Sequence, residues 1–289
     1  MKNILSFDVE DWFHILDLPT APDIEAWHRL EPRVEKNLFA ILDILDLQGT
    51  KATMFVLGWI AERYPHMIKE AHRRGHEIAS HGYAHQLVYN MTPDAFLRDI
   101  AKTKKILEDL VGERVLGHRS PGFSITHETP WAFEALTKAG YVYDSSVFPA
   151  RRAHGGFIGA SLHPHQLDTN NGPITEFPIS VTTILGSKVC FSGGGYFRLF
   201  PWAFISAKAA KVNAEGRPVI YYIHPREIDP HQPRLPMGVF RRFKSYVNLS
   251  STEAKLRRLV QSQVLTNFRD WLKLAPLPID RAPLRVIRQ

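Results

Sequence analysis

Apolar residues along this chain follow two rhythms that take turns. Short, largely apolar runs at residues 4–7, 52–57, 77–80, 141–143, 174–179 and 219–223 have the length of buried strands, and most carry β-branched or aromatic residues. Between them the spacing lengthens to three and four. Val34, Leu38, Ile41, Leu42 and Leu45 mark one helix, which Gly49 stops. A second helix is predicted over residues 60–74, ending before Gly75. Thr92-Pro93-Asp94 supplies a capping residue, a proline for the first position and an acid for the positive end of a third. That helix runs to about residue 111, where Gly112 ends it, and residues 115–117 then lead into Arg119. A further helix spans residues 130–138, closed by Gly140. A last one starts near Ser250 with Glu253 completing a capping box, and its stripe is Leu256, Leu259, Val260, Val264, Phe268, Trp271 and Leu272. Strands alternating with helices predict βαβ units and a parallel sheet. Residues 150–211, rich in Gly, His and Pro, are expected to form long loops or a small antiparallel insertion, and the proline-rich tail after Pro276 an extended strap or a loose end.

Composition narrows the class without changing it. With 289 residues, 44% hydrophobic and 22% charged, the chain can bury a sizeable core unaided. The net charge is +7 and the pI about 9.5. Lys and Arg are scattered, however, and the densest run, Arg241, Arg242 and Lys244, is short and sits beside apolar residues. This reads as a solvated face rather than a nucleic-acid footprint. Cys190 is the single cysteine, which rules out an internal disulfide and a cysteine metal cluster. Acids appear within the first ten residues, so no apolar signal core forms, and no run has the length of a membrane span. A cytoplasmic protein is expected; the oligomeric state is left open.

Chemistry enters at the strand ends, where barrel-like α/β folds place their sites. Asp8, Glu10 and Asp11 follow the first run, His81 and His85 the third, and Arg119, Asp144 and His224 later ones. His81-Gly-Tyr-Ala-His85 lets two imidazoles face one ion from a helical turn or a tight loop. Imidazole with carboxylate suits one divalent first-row ion, Zn²⁺ first, with Co²⁺ and Ni²⁺ as alternatives. Taken singly, each of these residues is as readily a surface histidine, a turn residue or an ion-pair partner. Together they suggest a hydrolytic metal site.

These segments resemble the polysaccharide deacetylases of carbohydrate esterase family 4, the NodB homology domain. The resemblance rests on Ser6-Phe-Asp-Val-Glu-Asp-Trp12, Ala52-Thr-Met-Phe-Val-Leu-Gly58, Gly75-His-Glu-Ile-Ala-Ser-His-Gly-Tyr-Ala-His85, His118-Arg-Ser-Pro-Gly-Phe123, Tyr143-Asp-Ser-Ser146 and Tyr222-Ile-His224. Gly193-Gly-Gly-Tyr-Phe-Arg198, His224-Pro-Arg-Glu-Ile-Asp229 and Phe243-Lys-Ser-Tyr-Val-Asn-Leu249 look like the exosortase-associated branch, found beside exopolysaccharide genes. The resemblance implies a distorted (β/α)7 barrel. It implies a single domain over residues 1–289, with a catalytic core at 1–225 and a branch-specific extension at 226–289 packed on it. Asp8 falls on the general base, His81 and His85 on the metal histidines, Arg119 on the arginine that orients the base, Asp144 on the acid that tunes the catalytic histidine, and His224 on that histidine, the general acid.

The chain departs from the family in two places. Where the family has adjacent aspartates, the third ligand here is Glu10 or Asp11; extended alternation puts Glu10 on the side of Asp8 and favours it. Gly122 stands where an aromatic is common, so the substrate wall is more open or is supplied by Phe123. A backbone N–H near Gly122 or Phe123 is expected to assist an oxyanion. Trp12, Tyr83 and Tyr196 are sugar-stacking candidates, while Trp27 and Trp59 are expected in the core. The expected activity is removal of N-acetyl groups from an amino-sugar polysaccharide or its precursor, in exopolysaccharide biosynthesis and with a biosynthetic complex as a candidate partner. The rivals are an allantoinase-like cyclic amide hydrolase and a non-catalytic carbohydrate-binding protein on the same fold.

Overall fold

The computed structural model describes residues 1–152, 155–274 and 281–283. Its strands are β1 (Asn3–Val9), β2 (Thr53–Val56), β3 (Glu77–Ser80), β4 (Gly117–His118), β5 (Tyr143–Asp144), β6 (His165–Thr169), β7 (Gly172–Glu176), β8 (Val181–Ile184), β9 (Ser187–Cys190), β10 (Ile220–Ile223), β11 (Leu265–Thr266) and β12 (Arg281–Pro283). Its helices are α1 (Ile24–Trp27), α2 (Val34–Asp46), α3 (Gly58–Arg63), α4 (Pro65–Arg73), α5 (Pro93–Val111), α6 (Trp131–Lys138), α7 (Gly194–Leu199), α8 (Trp202–Ala214), α9 (Val239–Tyr246), α10 (Leu249–Ser262) and α11 (Phe268–Leu274). The main sheet runs β10-β1-β2-β3-β4-β5-β7-β6-β12, with β11 beside β1, and curls into an α/β half-barrel, in line with the distorted (β/α)7 barrel expected. All its pairings are parallel except β6 with β7.

Period-two alternation gives the sheet two dry faces. Leu5, Phe7 and Val9 point outward into a layer shared with α2, α4 and α5. Ile4, Phe55, Ala79, Tyr143, Phe177 and Tyr222 point inward and fill the barrel. Ser6 and Asp8 lie on that inward face of β1, as the alternation requires. Register then does the rest. Phe7 is level with Ile223, so Asp8, near the end of β1, lies beside His224, just past β10. Val9, Val56 and Ser80 are level, so Glu10 and His81 emerge together. Ser80 is level with His118, which adds Arg119.

Three sequence expectations change. The helix over 60–74 is two helices, because Pro65 lacks an N–H and its ring excludes the helical conformation at Tyr64, which sits at φ −127°, ψ 55°. The last stripe is also divided. Gln263 turns extended, and Leu265–Thr266 pairs with β1 before α11 begins. The proposed cap fails too: α10 starts after Asn248 at φ 53°, and Glu253 pairs with Arg257 at 2.7 Å. The 150–211 stretch holds the antiparallel pairs β6–β7 and β8–β9 together with α7 and most of α8. The tail expected after Pro276 lies outside the described residues apart from β12. Among the described residues, no helix is long and apolar enough to cross a membrane.

Candidate metal and acid–base centre

Asp8 and Arg119 form the buried floor of the site. Arg119 is fully buried, and its Nη1 donates to Asp8 Oδ1 at 2.6 Å and to Ser6 Oγ at 2.9 Å. Its Nε and Nη2 donate to the Ser145 carbonyl and hydroxyl, both at 3.2 Å. The guanidinium lies 4.1 Å over the Phe55 ring. A buried carboxylate held this way is fixed in direction, and Asp8 Oδ2 remains turned toward His224 Nε2, 3.8 Å away.

Glu10 Oε1 is the meeting point of three imidazoles, with Nε2 of His224, His85 and His81 at 3.3, 3.4 and 3.8 Å. Burial pushes the Glu10 carboxyl upward, but the facing imidazoles, His85 and His224 first, outweigh it and hold Glu10 well below the usual range. The Glu10, His81 and His85 donor atoms lie within 4.8 Å of one another, as do those of Asp8, Glu10 and His224. The first set suits a divalent cation on its own chemistry. His81 Nδ1 sits 2.7 Å from the Arg119 carbonyl, so Nδ1 carries the proton and Nε2 offers its lone pair. His85 Nε2 is buried without a hydrogen-bond partner among the described residues. His81 and His85 share the site through a tight loop rather than a helical turn. Gly82 and His85 both adopt positive φ, 75° and 54°, and strain at a non-glycine residue such as His85 is typical of functional positions. Asp99 braces this loop by accepting the Tyr83 N–H at 2.9 Å.

The other candidate ligand, Asp11, is engaged elsewhere. Its carboxylate accepts the N–H groups of Trp12, Arg33 and Val34 at 2.7, 2.8 and 3.0 Å, which ties the first loop to the start of α2.

His224 has a partner the sequence reading did not name. Its Nδ1 is 3.1 Å from Glu227 Oε2, and the same oxygen accepts the His224 N–H at 3.0 Å. Glu227 Oε1 accepts from Arg198 Nε at 2.7 Å, and both side chains are buried. Arg198 also donates to the carbonyls of Lys244, Ser245 and Val247. Burial disfavours a charged His224, but Glu10, Glu227 and Asp8 outweigh it and raise its pKa. Glu227 moves the opposite way, below the carboxylate range, since His224 and Arg198 outweigh its burial. The sequence carried only a faint local signal, a Glu three positions after His224 in His224-Pro-Arg-Glu227.

Asp144 therefore does not hold the place expected for it. It accepts from the Ser146 N–H and Oγ at 2.9 and 2.8 Å, and it is level with Glu176 on β7. Burial raises the Asp144 carboxyl to about 6 and Glu176 further, since two buried carboxyls side by side cannot both ionise.

A cleft of about 480 Å³ opens over Glu10, His81, His85 and His224. Gly122, Phe123 and Tyr196 line it, as expected of substrate contacts. Trp12 and Tyr83 do not line it. Trp12 is buried against Phe13 and donates Nε1–H to the Glu31 carbonyl at 2.9 Å, while the Tyr83 hydroxyl donates to Glu62 at 2.7 Å beneath Lys102. Trp27 packs in the same cluster as Trp12, with Trp59 against it. The Phe123 N–H donates to the Ser120 carbonyl at 3.1 Å, so that group is already used. His14, not anticipated, also lines the cleft. Its Nδ1 accepts the Asp11 N–H at 2.8 Å and burial keeps it neutral, which leaves the proton on Nε2.

Residues 30–143 match a family model described as polysaccharide deacetylase, and residues 145–273 one described as a domain of unknown function, DUF3473. A peptidoglycan-N-acetylglucosamine deacetylase of Bacillus cereus is 36% identical over 95 residues, 32% of this chain and 34% of the relative. The chain thus spans about a third of that relative's length. A Mycobacterium smegmatis crystal structure of a candidate polysaccharide deacetylase superposes with a TM-score of 0.59 at 21% identity, covering 98% of this chain and 96% of that one. PuuE allantoinase also reaches 0.59, at 18% identity over 95% and 91% of the two chains. At these identities the structural likenesses show the shared barrel fold alone.

Proposed function

We propose, from the match of residues 30–143 to the polysaccharide deacetylase family model, that the protein is a metal-dependent hydrolase. On this reading it removes N-acetyl groups from an amino-sugar polysaccharide or its precursor, within exopolysaccharide biosynthesis. The observation that carries this reading is the convergence of Asp8, Glu10, His81, His85 and His224 at the base of one cleft. A cyclic amidase on the same barrel is less favoured, because the family model that residues 30–143 match is that of polysaccharide deacetylases.

Glu10, His81 and His85 would hold the ion, Zn²⁺ first on this donor set. A bound divalent cation supplies Lewis acidity toward an amide carbonyl and eases deprotonation of water. Asp8, held and aimed by Arg119, takes the proton of the attacking water at Oδ2. His224 donates its Nε2 proton to the departing amine, and Glu227 holds the ring in place through Nδ1. Tyr196 and Phe123 offer ring faces to the sugar. Products are acetate and a free amino sugar.

The test is acetate release from N-acetylglucosamine oligomers before and after chelation, with Zn²⁺, Co²⁺ or Ni²⁺ added back. Release restored by metal is expected. Metal bound with no acetate from any amino sugar overturns the reading in favour of another amide.

A further inference from the structure

The run Arg241, Arg242 and Lys244, read from sequence as a merely solvated face, belongs to α9, and α9 forms the rim of the catalytic cleft. One side of this helix is anchored. Ser245 and Tyr246 are buried, the Tyr246 hydroxyl accepts the Leu235 N–H at 3.0 Å, and Arg198 holds the last carbonyls. Arg241 donates Nη2–H to the Leu16 carbonyl at 2.5 Å. The other side carries Val239, Phe240 and Phe243, which are 87%, 71% and 52% exposed and belong to none of the hydrophobic clusters. Folding alone does not account for two phenylalanines held in water on a pinned helix. Leu199, also on the cleft wall, is 41% exposed.

Charge says what such a face meets. From Pro230 to Thr252 there is no acidic residue, while Arg234, Arg241, Arg242 and Lys244 are all present. Lys244 Nζ lies 4.3 Å over the Phe240 ring, so cation and aromatic are presented together. Exposed aromatic and aliphatic side chains flanked by cations, with no acid in that stretch of chain, are complementary to the anionic headgroups and outer acyl region of a bilayer. A neutral sugar chain would use the rings but leave the cations without a role.

We propose that α9 docks the protein on an anionic membrane surface, seating Val239, Phe240 and Phe243 among the headgroups so that the cleft opens onto that surface. Binding to the bilayer is separate from the hydrolytic chemistry, so it stands or falls independently of the proposed function.

The test is sedimentation of the full chain with vesicles of phosphatidylcholine alone or with 30 mol% phosphatidylglycerol, at low and at 0.5 M salt. The wild type is expected to pellet with the anionic vesicles only, and to be released by salt. Phe240→Ser/Phe243→Ser and Val239→Ser/Arg242→Gln should each weaken binding at least tenfold, with thermal melting unchanged because the residues are exposed. The second pair does not line the cleft and should leave hydrolysis of soluble oligomers as it was. Equal binding to neutral vesicles, no vesicle binding at all, or full binding by both variants overturns the proposal. So does a wild type that dimerises through these residues, or a Val239→Ser/Arg242→Gln variant that loses soluble-oligosaccharide binding instead.

Discussion

Glu227→Gln is the substitution that separates the observed wiring of the acid from the one expected. The carboxylate is buried, and one oxygen reaches both His224 Nδ1 at 3.1 Å and the His224 N–H at 3.0 Å. Unit charges at that distance interact by about 5 kcal/mol at an effective dielectric of 20, an upper bound on what the charge contributes. Outer partners of functional histidines usually carry about 10–100-fold, or roughly 1.4–2.7 kcal/mol. Glutamine keeps the shape and an acceptor for Arg198 while removing the charge. We therefore expect kcat to fall 10–100-fold with KM within about twofold. Glu227 favours the imidazolium, so without it His224 loses its proton at lower pH, and the alkaline fall in kcat moves down the pH axis. The assay is initial-rate acetate release across pH on samples matched for bound metal and circular dichroism. A rate and an alkaline limb that both stay put, while Asp144→Asn moves that limb, would refute the reasoning and return the tuning role to Asp144.

Other outcomes follow from the same geometry. Asp8→Asn should abolish turnover, by at least about a hundredfold, while retaining metal; undiminished acetate release removes Asp8 as base. Chelation should cost activity and lower the melting temperature, because an ion that binds only the folded site stabilises it and its loss leaves His85 Nε2 unpartnered; Glu10→Ala and His85→Ala should lose the metal-dependent part of the melting shift, read by calorimetry. Burial raises the Asp99 carboxyl to about 6, against a model-peptide value of 3.8. A raised acid contributes stability that is complete below the unfolded pKa and lost as pH climbs toward about 6. Asp99→Asn should therefore gain on the wild type between pH 4 and pH 6, read as urea midpoints; a pH-independent difference counts against it. Gly117→Ala places a Cβ about 1.9 Å from the Tyr143 ring, which is tied to Glu77 at 2.9 Å and stacked on Phe268, so a loss of about 3 kcal/mol or an insoluble product is expected.

Much of this was readable in the residue order because register makes it so. Strand-end residues converge whenever their strands are level, and apolar runs show where strands end. Asp8, Glu10, His81, Arg119 and His224 were legible for that reason. What stayed hidden was nonlocal. Glu227 sits three residues past His224, yet its importance comes from Arg198, which only the fold brings near. Asp144 was assigned by resemblance, and its neighbours, Ser146 and Glu176, take up its oxygens instead. Trp12 stands among the acids in sequence but faces away, since the turn after Asp11 carries it into the Phe13 cluster. The stripe through Phe268 looked like one helix face, although Phe268 lies inside the barrel, stacked 5.2 Å from Tyr143 with its N–H on Thr53 Oγ1 at 3.0 Å.

The two family matches meet at residues 143–145, in or just after β5, a strand whose neighbours on both sides complete the barrel. His81, His85 and Arg119 come from the first segment, His224 and Glu227 from the second, and Arg119 is bonded to Ser145 across the seam. Neither segment carries the whole cluster, and Asp8 and Glu10 precede both. Chimeras that exchange one segment between relatives would have to preserve a hydrogen bond across the join, so the two segments are expected to have diverged as one inherited unit rather than as interchangeable parts.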